Sequence, residues 1–281
     1  MKSTRQGQME RLRIIHGDCV ERMRELPPAS VQLVVTSPPY DDLRTYGGHS
    51  WNFEATAREL YRVLCEGGIC CWNVGDSVVD GSETLTAFKQ AIWFKDALGF
   101  RVYDTMIWHK LNFSNPESVR YHQLFEYVFI LSKGKPRCFN PIKDKRNAQA
   151  GMVGTIGRNT FQKRDGSRET RSTYITQEFG MRGNVWTGKT AGQENMGKSL
   201  VHPALMPKWL ARDLIISWSN PDDTVLDPFA GSGTTGRAAI ENARNAILIE
   251  VNEAYLPVIE RSCDVTPGLA LSSVQEAVEV V

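Results

Sequence analysis

Apolar and polar positions along the first half of the chain follow two periods, and the switches between them mark strands and helices. Val31-Gln-Leu-Val-Val-Thr is a β-branched run that stops at Pro38-Pro39, the pattern of a buried parallel strand. From Phe53 to Cys65 the apolar residues Leu60, Val63 and Leu64 fall at helical spacing, and Gly67-Gly68 predicts the stop. Ile69-Cys-Cys-Trp-Asn-Val reads as the next strand. Thr84–Leu98 reads as a helix on Leu85, Phe88, Ile92 and Trp93, closed by Gly99, and Phe100–His109 and Phe125–Leu131 as two further strands.

Neither period survives between residues 140 and 200, where Gly, Asn, Thr, Arg and Gln dominate. So long an irregular stretch in a compact domain is usually functional, and it reads as an insert outside the sheet. Order returns with a helix at Pro207–Trp218 (Leu210, Leu214, Ile215), a strand at Thr224–Asp227, and a helix at Thr234–Asn242. A strand at Ala246–Glu250 and a helix at Tyr255–Cys263 follow. Strands alternating with helices on both sides of the insert predict a mostly parallel α/β sheet covered on both faces.

With 281 residues the chain has enough material for one core plus a smaller module. Its apolar runs are too short to cross a bilayer, and the first residues carry no apolar stretch of a signal peptide. A cytoplasmic protein without membrane contact is expected. The six cysteines (Cys19, Cys65, Cys70, Cys71, Cys138, Cys263) show no metal-binding or disulfide spacing and read as reduced thiols, with no metal site expected. The net charge of +1 hides an asymmetry: Lys133 to Arg182 holds twelve Lys or Arg against four acids. Such a cluster is either a footprint for a polyanion or a solvated basic loop.

Two motifs carry chemistry. After the strand at Thr224 comes Asp227-Pro-Phe-Ala-Gly-Ser-Gly-Thr-Thr-Gly236, a G-x-G-x-x-G turn opening a helix, with Glu250 ending the next strand. Glycines there let the backbone approach a nucleotide-like ligand, and the later acid accepts hydrogen bonds from ribose hydroxyls. A nicotinamide dinucleotide is the rival ligand, but the Asp227 carboxylate would repel a pyrophosphate, whereas a cationic cofactor end suits it. The second motif, Thr36-Ser-Pro-Pro-Tyr40, follows the strand at Val31. Its prolines fix a rigid turn at the carboxyl end of the sheet and hold Ser37 and the Pro38 carbonyl as acceptors beside an aromatic ring.

Together the two motifs resemble the DNA amino-methyltransferases of the permuted beta group, over roughly Ile14–Tyr255. In that group a [DNS]-P-P-[YFW] catalytic motif comes first, a target-recognition insert lies in the middle, and the cofactor fingerprint comes late. Ile15-His-Gly-Asp18, Glu59–Gly68, Trp108–Asn112 with Pro116, Phe125–Lys133 and His202–Pro207 are similar to further family elements. The resemblance implies a Rossmann-like methyltransferase fold with a mostly parallel seven-stranded sheet and a small irregular insert. Its expected parts are a catalytic half at residues 1–135, a recognition insert at 136–200 and a cofactor half at 201–281.

It implies S-adenosylmethionine as cofactor, held by Asp18, Thr36, Asp227, Pro228, Phe229, Ala230, Gly231, Ser232, Gly233, Thr234, Thr235, Glu250 and His202. Ser37, Pro38, Pro39 and Tyr40 would be catalytic, with the flipped base stacked on Tyr40. Double-stranded DNA would meet Lys143, Lys145, Arg146, Arg158, Lys163 and Arg164. A cognate restriction endonuclease is a candidate partner, and the enzyme would be a monomer or homodimer. Serine in the first motif position favours cytosine N4 over adenine N6. An RNA or protein amino-methyltransferase and a non-catalytic DNA-binding module are the other readings.

Overall fold

The computed structural model describes residues 11–39, 51–112, 118–154, 174–191 and 206–265. Eight strands form the main sheet: β1 (Leu12–His16), β2 (Val31–Thr36), β3 (Leu64–Val74), β4 (Arg101–Lys110), β5 (Phe125–Ser132), β6 (Val185–Gly188), β7 (Thr224–Asp227) and β8 (Asn245–Glu250). Their order is β1-β8-β7-β2-β3-β5-β4-β6. All neighbours are parallel except β5, which is antiparallel to both β3 and β4. This is the expected mostly parallel α/β sheet.

Among the described residues six α-helices accompany the sheet: α1 (Cys19–Arg24), α2 (Phe53–Val63), α3 (Thr86–Leu98), α4 (Lys208–Trp218), α5 (Thr234–Glu241) and α6 (Leu256–Cys263). Met23, Leu60, Phe94 and their neighbours on α1–α3 pack with Val34, Cys70, Trp72, Leu131 and Ile249 in one continuous core. Leu248, one residue before Ile249, turns the other way and packs with Ile259 and Cys263 of α6. That period-two alternation is why both faces of the sheet carry helices. No helix among the described residues is long and apolar enough to cross a membrane.

The structure departs from the sequence expectation in two places. Residues 64–68 are not the end of a helix: β3 begins at Leu64, directly after α2, and Gly67-Gly68 lie inside the strand. The Gly67 N–H donates to the Lys133 carbonyl at 2.6 Å, so the pair serves close chain approach rather than helix termination. Val185–Gly188, expected outside the sheet, is instead its eighth strand, parallel to β4 with Trp186 opposite Trp108. Four residues are too few to display a period.

Pro141–Gly183 forms a second compact unit. It contains two short antiparallel ribbons, Lys145–Arg146 with Phe179–Gly180 and Val153–Gly154 with Tyr174–Ile175. Among its residues of described accessibility none is buried. Hydrogen bonds hold it instead: Asn147 N–H to the Glu178 carbonyl at 2.8 Å and Asn147 Nδ2 to the Gln177 carbonyl at 2.9 Å. The Arg182 Nε donates to both Asp144 oxygens at 2.8 Å. Without buried residues, the described part of the unit has no apolar face to write into its sequence, in keeping with the lost periodicity there.

Candidate active site

Because the strands other than β5 run the same way, their carboxyl ends share one edge of the sheet, where open α/β sheets bind ligands. Thr36 ends β2 and Asp227 ends the neighbouring β7. Thr36 Oγ1 donates to Asp227 Oδ1 at 2.7 Å, and the Phe229 N–H donates to the same oxygen at 3.1 Å. Asp227 is 5% exposed. Burial pushes its carboxyl up to about 6 and nearby Glu250 adds to the rise, against the lowering hydrogen bonds of Thr36, Thr235 and Phe229. Its resolved partners are hydroxyls and an amide, and the charge nearest in effect is another acid.

Glu250, 8% exposed at the end of β8, secures the turn between β7 and α5. Its Oε2 accepts from the Gly231 N–H at 2.8 Å and its Oε1 from the Asn252 N–H at 2.9 Å. The Gly17 N–H donates to the Glu250 carbonyl at 2.9 Å, bringing the start of α1 alongside. There Asp18 caps the helix, its Oδ1 accepting from the Val20 and Glu21 amides at 2.9 and 3.1 Å. In the turn itself Pro228 is buried, and Ala230 packs with Leu248. Ser232 Oγ lies 3.3 Å from Thr234 Oγ1, and the buried Thr235 Oγ1 donates to the Val35 carbonyl at 3.4 Å.

The glycines have separable tasks. Gly233, at φ 82°, caps α5 in a left-handed conformation that side chains disfavour. Gly236 faces Leu248 and lies against Cys263, where an added Cβ would sit 3.1 Å from the sulfur and closer still to Leu248. Gly236→Val is therefore expected to lower stability by about 2 kcal/mol or more, read from urea unfolding, because overpacking there must displace β8 or α6.

Directly after β2, Ser37 and Pro39 are half-buried and Pro38 is buried. Phe229 meets Trp51 edge-on with centroids 5.2 Å apart, and Trp51 continues to Trp72 at 6.2 Å. Sequence reasoning missed Trp51, whose one signal is an aromatic just before the capping residue Asn52. Tyr40, His202, Arg158, Lys163 and Arg164 lie outside the described residues. Lys143, Lys145 and Arg146 are exposed in the second unit. Burial holds the Cys19 and Cys263 thiols up at about 11 and about 12, so neither is a thiolate nucleophile near neutrality.

A family model described as DNA methylase matches residues 31–261, from β2 through the Asp227–Gly236 turn to α6. The chain belongs to this N6/N4 DNA methylase family. The methylase is 45% identical over 232 residues to M.BamHII, an orphan methyltransferase of Bacillus amyloliquefaciens, covering 82% of this chain and 87% of that one. It is similar to the TTHA0409 protein of Thermus thermophilus in complex with S-adenosylmethionine, with 27% identity and a TM-score of 0.57 over 91% of this chain and 96% of that one. The PvuII DNA methyltransferase, cytosine-N4-specific, shares the fold at 20% identity with a TM-score of 0.63 over 95% and 90% of the two chains.

The methylase is thus an S-adenosylmethionine-dependent DNA amino-methyltransferase. The residues at the strand ends fit that cofactor. A nearly buried carboxylate with an acid as its strongest charged influence calls for a cation, and the cofactor's ammonium and sulfonium provide one. The pyrophosphate of a dinucleotide would put like charge against Asp227.

Proposed function

We propose that the methylase transfers the methyl group to the N4 amino nitrogen of cytosine in double-stranded DNA. The observation that carries this reading is the Thr36–Pro39 segment at the end of β2, fixed to Asp227 by the Thr36 hydroxyl at 2.7 Å. That bond ties the segment bearing Ser37 and the Pro38 carbonyl to the strand end assigned to the cofactor. Ser37 and the Pro38 carbonyl accept hydrogen bonds from the amino group and aim its lone pair, while Tyr40 stacks on the extruded base. Bound S-adenosylmethionine supplies an electrophilic methyl group. The contribution of the chain is orientation and placement of partial charge, with no covalent enzyme intermediate. Asp227 and the Phe229–Gly233 turn hold the methionine end, Glu250 the ribose, and Asp18 the adenine side.

Cytosine is favoured over adenine by Ser37 in the first position of the motif. The deciding experiment incubates the protein with DNA and isotopically labelled cofactor, digests the DNA to nucleosides and identifies the product by mass. N4-methylcytosine is the expected product. N6-methyladenine would move the assignment to the other base, and no labelled nucleoside would overturn the enzymatic reading in favour of a DNA-binding module.

The insert at residues 136–200 is proposed as the target-recognition region. Neutralising Lys143, Lys145 and Arg146 together should weaken duplex binding and flatten its salt dependence, by a log–log slope of about 0.9 for each phosphate no longer neutralised. Binding of wild type and variant to a methylatable duplex at several salt concentrations measures this. An unaltered slope would place the DNA surface elsewhere, first along Asp41–Trp51.

A further inference from the structure

On the β3 side of β2, three polar side chains meet within the sheet. Asn73, near the end of β3, is 1% exposed, and its Nδ2 donates to Glu126 Oε2 at 3.0 Å and to the Tyr127 carbonyl at 3.1 Å. Lys110, the last residue of β4, places Nζ 2.6 Å from Glu126 Oε1, with both side chains 13% exposed. The same Nζ lies 5.4 Å from the centre of the Trp108 ring. Glu126 on β5 therefore ties three strands together through its two oxygens.

A strand end does not require such a cluster. Withdrawing an ammonium and a carboxylate from water is costly, and a buried ion pair is often no more stabilising than apolar side chains of similar shape. What the pair supplies is geometric definition, because a carboxylate engaged at both oxygens tolerates little displacement. Its place gives that definition a use. β2 and β3 are in register through Thr36 and Trp72, which sets Asn73 level with Ser37 on a strand about 4.8 Å away. Asp227 flanks β2 on one side, and this network flanks it on the other.

We infer that Lys110, Glu126 and Asn73 are positioning residues for methyl transfer. They lock the carboxyl end of β3 to β5 and β4, and that end is the wall against which the Ser37-Pro38 turn is held. The inference rests on the proposed reaction at Ser37.

The test compares wild type with Glu126→Gln, which keeps shape but removes charge, and with the double variant Lys110→Met/Glu126→Gln, which replaces the ion pair by neutral side chains of similar size. Single-turnover methylation at saturating DNA and cofactor, cofactor affinity by calorimetry, and thermal unfolding are measured together. Both variants should slow methylation by about tenfold or more while cofactor affinity stays within about twofold, and Lys110→Arg should keep most of the rate. A folded double variant that binds cofactor and methylates within about threefold of wild type would overturn the inference. Should the charge variants fail to fold, Asn73→Ala, which leaves the Lys110–Glu126 pair in place, is held to the same thresholds. A wild-type protein that transfers no methyl group to DNA would sink the proposed reaction, a result distinct from variants that work as well as a working wild type.

Discussion

Asp227→Ala is expected to weaken S-adenosylmethionine binding by well over tenfold while leaving the fold intact. Charged hydrogen bonds contribute about 1.5–3 kcal/mol each, and about 1.4 kcal/mol is tenfold in affinity. The substitution leaves the Thr36 hydroxyl without its Asp227 partner but also removes a buried charge, so the loss should fall on the ligand more than on stability. The same carboxylate makes binding depend on pH. Its pKa in the free protein is raised from 3.8 to about 6, mainly by burial, so the carboxyl is protonated below that range and cannot pair with a cation. Affinity should therefore fall as pH drops through 6, approaching tenfold per unit. The sign for folding is opposite: the stability contributed by this raised group is fully present below pH 3.8 and lost as pH rises through 6. Calorimetric titrations across this range check both statements, with Asp227→Asn expected to abolish the pH dependence of binding. Unchanged affinity in Asp227→Ala would remove the carboxylate from the cofactor site.

Tyr40→Ala should reduce turnover far more than cofactor affinity. The ring is assigned to stacking on the extruded base, worth about 1–3 kcal/mol, or about fivefold to over a hundredfold in rate where it acts in the transition state. Tyr40→Phe should retain most activity, since the ring face does the stacking. Steady-state rates on DNA with parallel cofactor titrations separate the two effects. If phenylalanine were as damaging as alanine, the hydroxyl would be the working group and the stacking assignment would fall.

The elements that form the cofactor edge were legible because each wrote a local rule into the sequence. Thr224–Asp227 is a short strand with β-branched Thr224 and Val225, cut by Pro228, and Gly233 and Gly236 mark a turn that needs positive φ and a helix that needs close approach. What stayed hidden depended on distant partners. β6 has four residues and exists as a strand because β4 offers it an edge. The start of β3 was masked because Gly67-Gly68 has the same composition whether it stops a helix or lets a strand pass close to Lys133. Asn73 is one polar residue in an apolar run, and nothing within Ile69–Val74 tells that Glu126 and Lys110 converge on it. The Asp18 side chain has a visible local duty, capping α1, in addition to the cofactor role proposed for it.

The strand order also bears on how the protein is made. β1 pairs with β8, and the cofactor side of β2 is completed by β7, so segments separated by about two hundred residues must meet before Thr36 finds Asp227 or Gly17 finds Glu250. At about 5–20 residues per second of synthesis, β1 and that flank of β2 wait for ten seconds or more outside the ribosome without their partners. During that interval their unpaired strand edges are open to other nascent chains. The methyl-donor site closes among the last events of biosynthesis, so a ribosome-stalled chain lacking β7 and β8 would have the Ser37 turn and no means of holding the donor beside it.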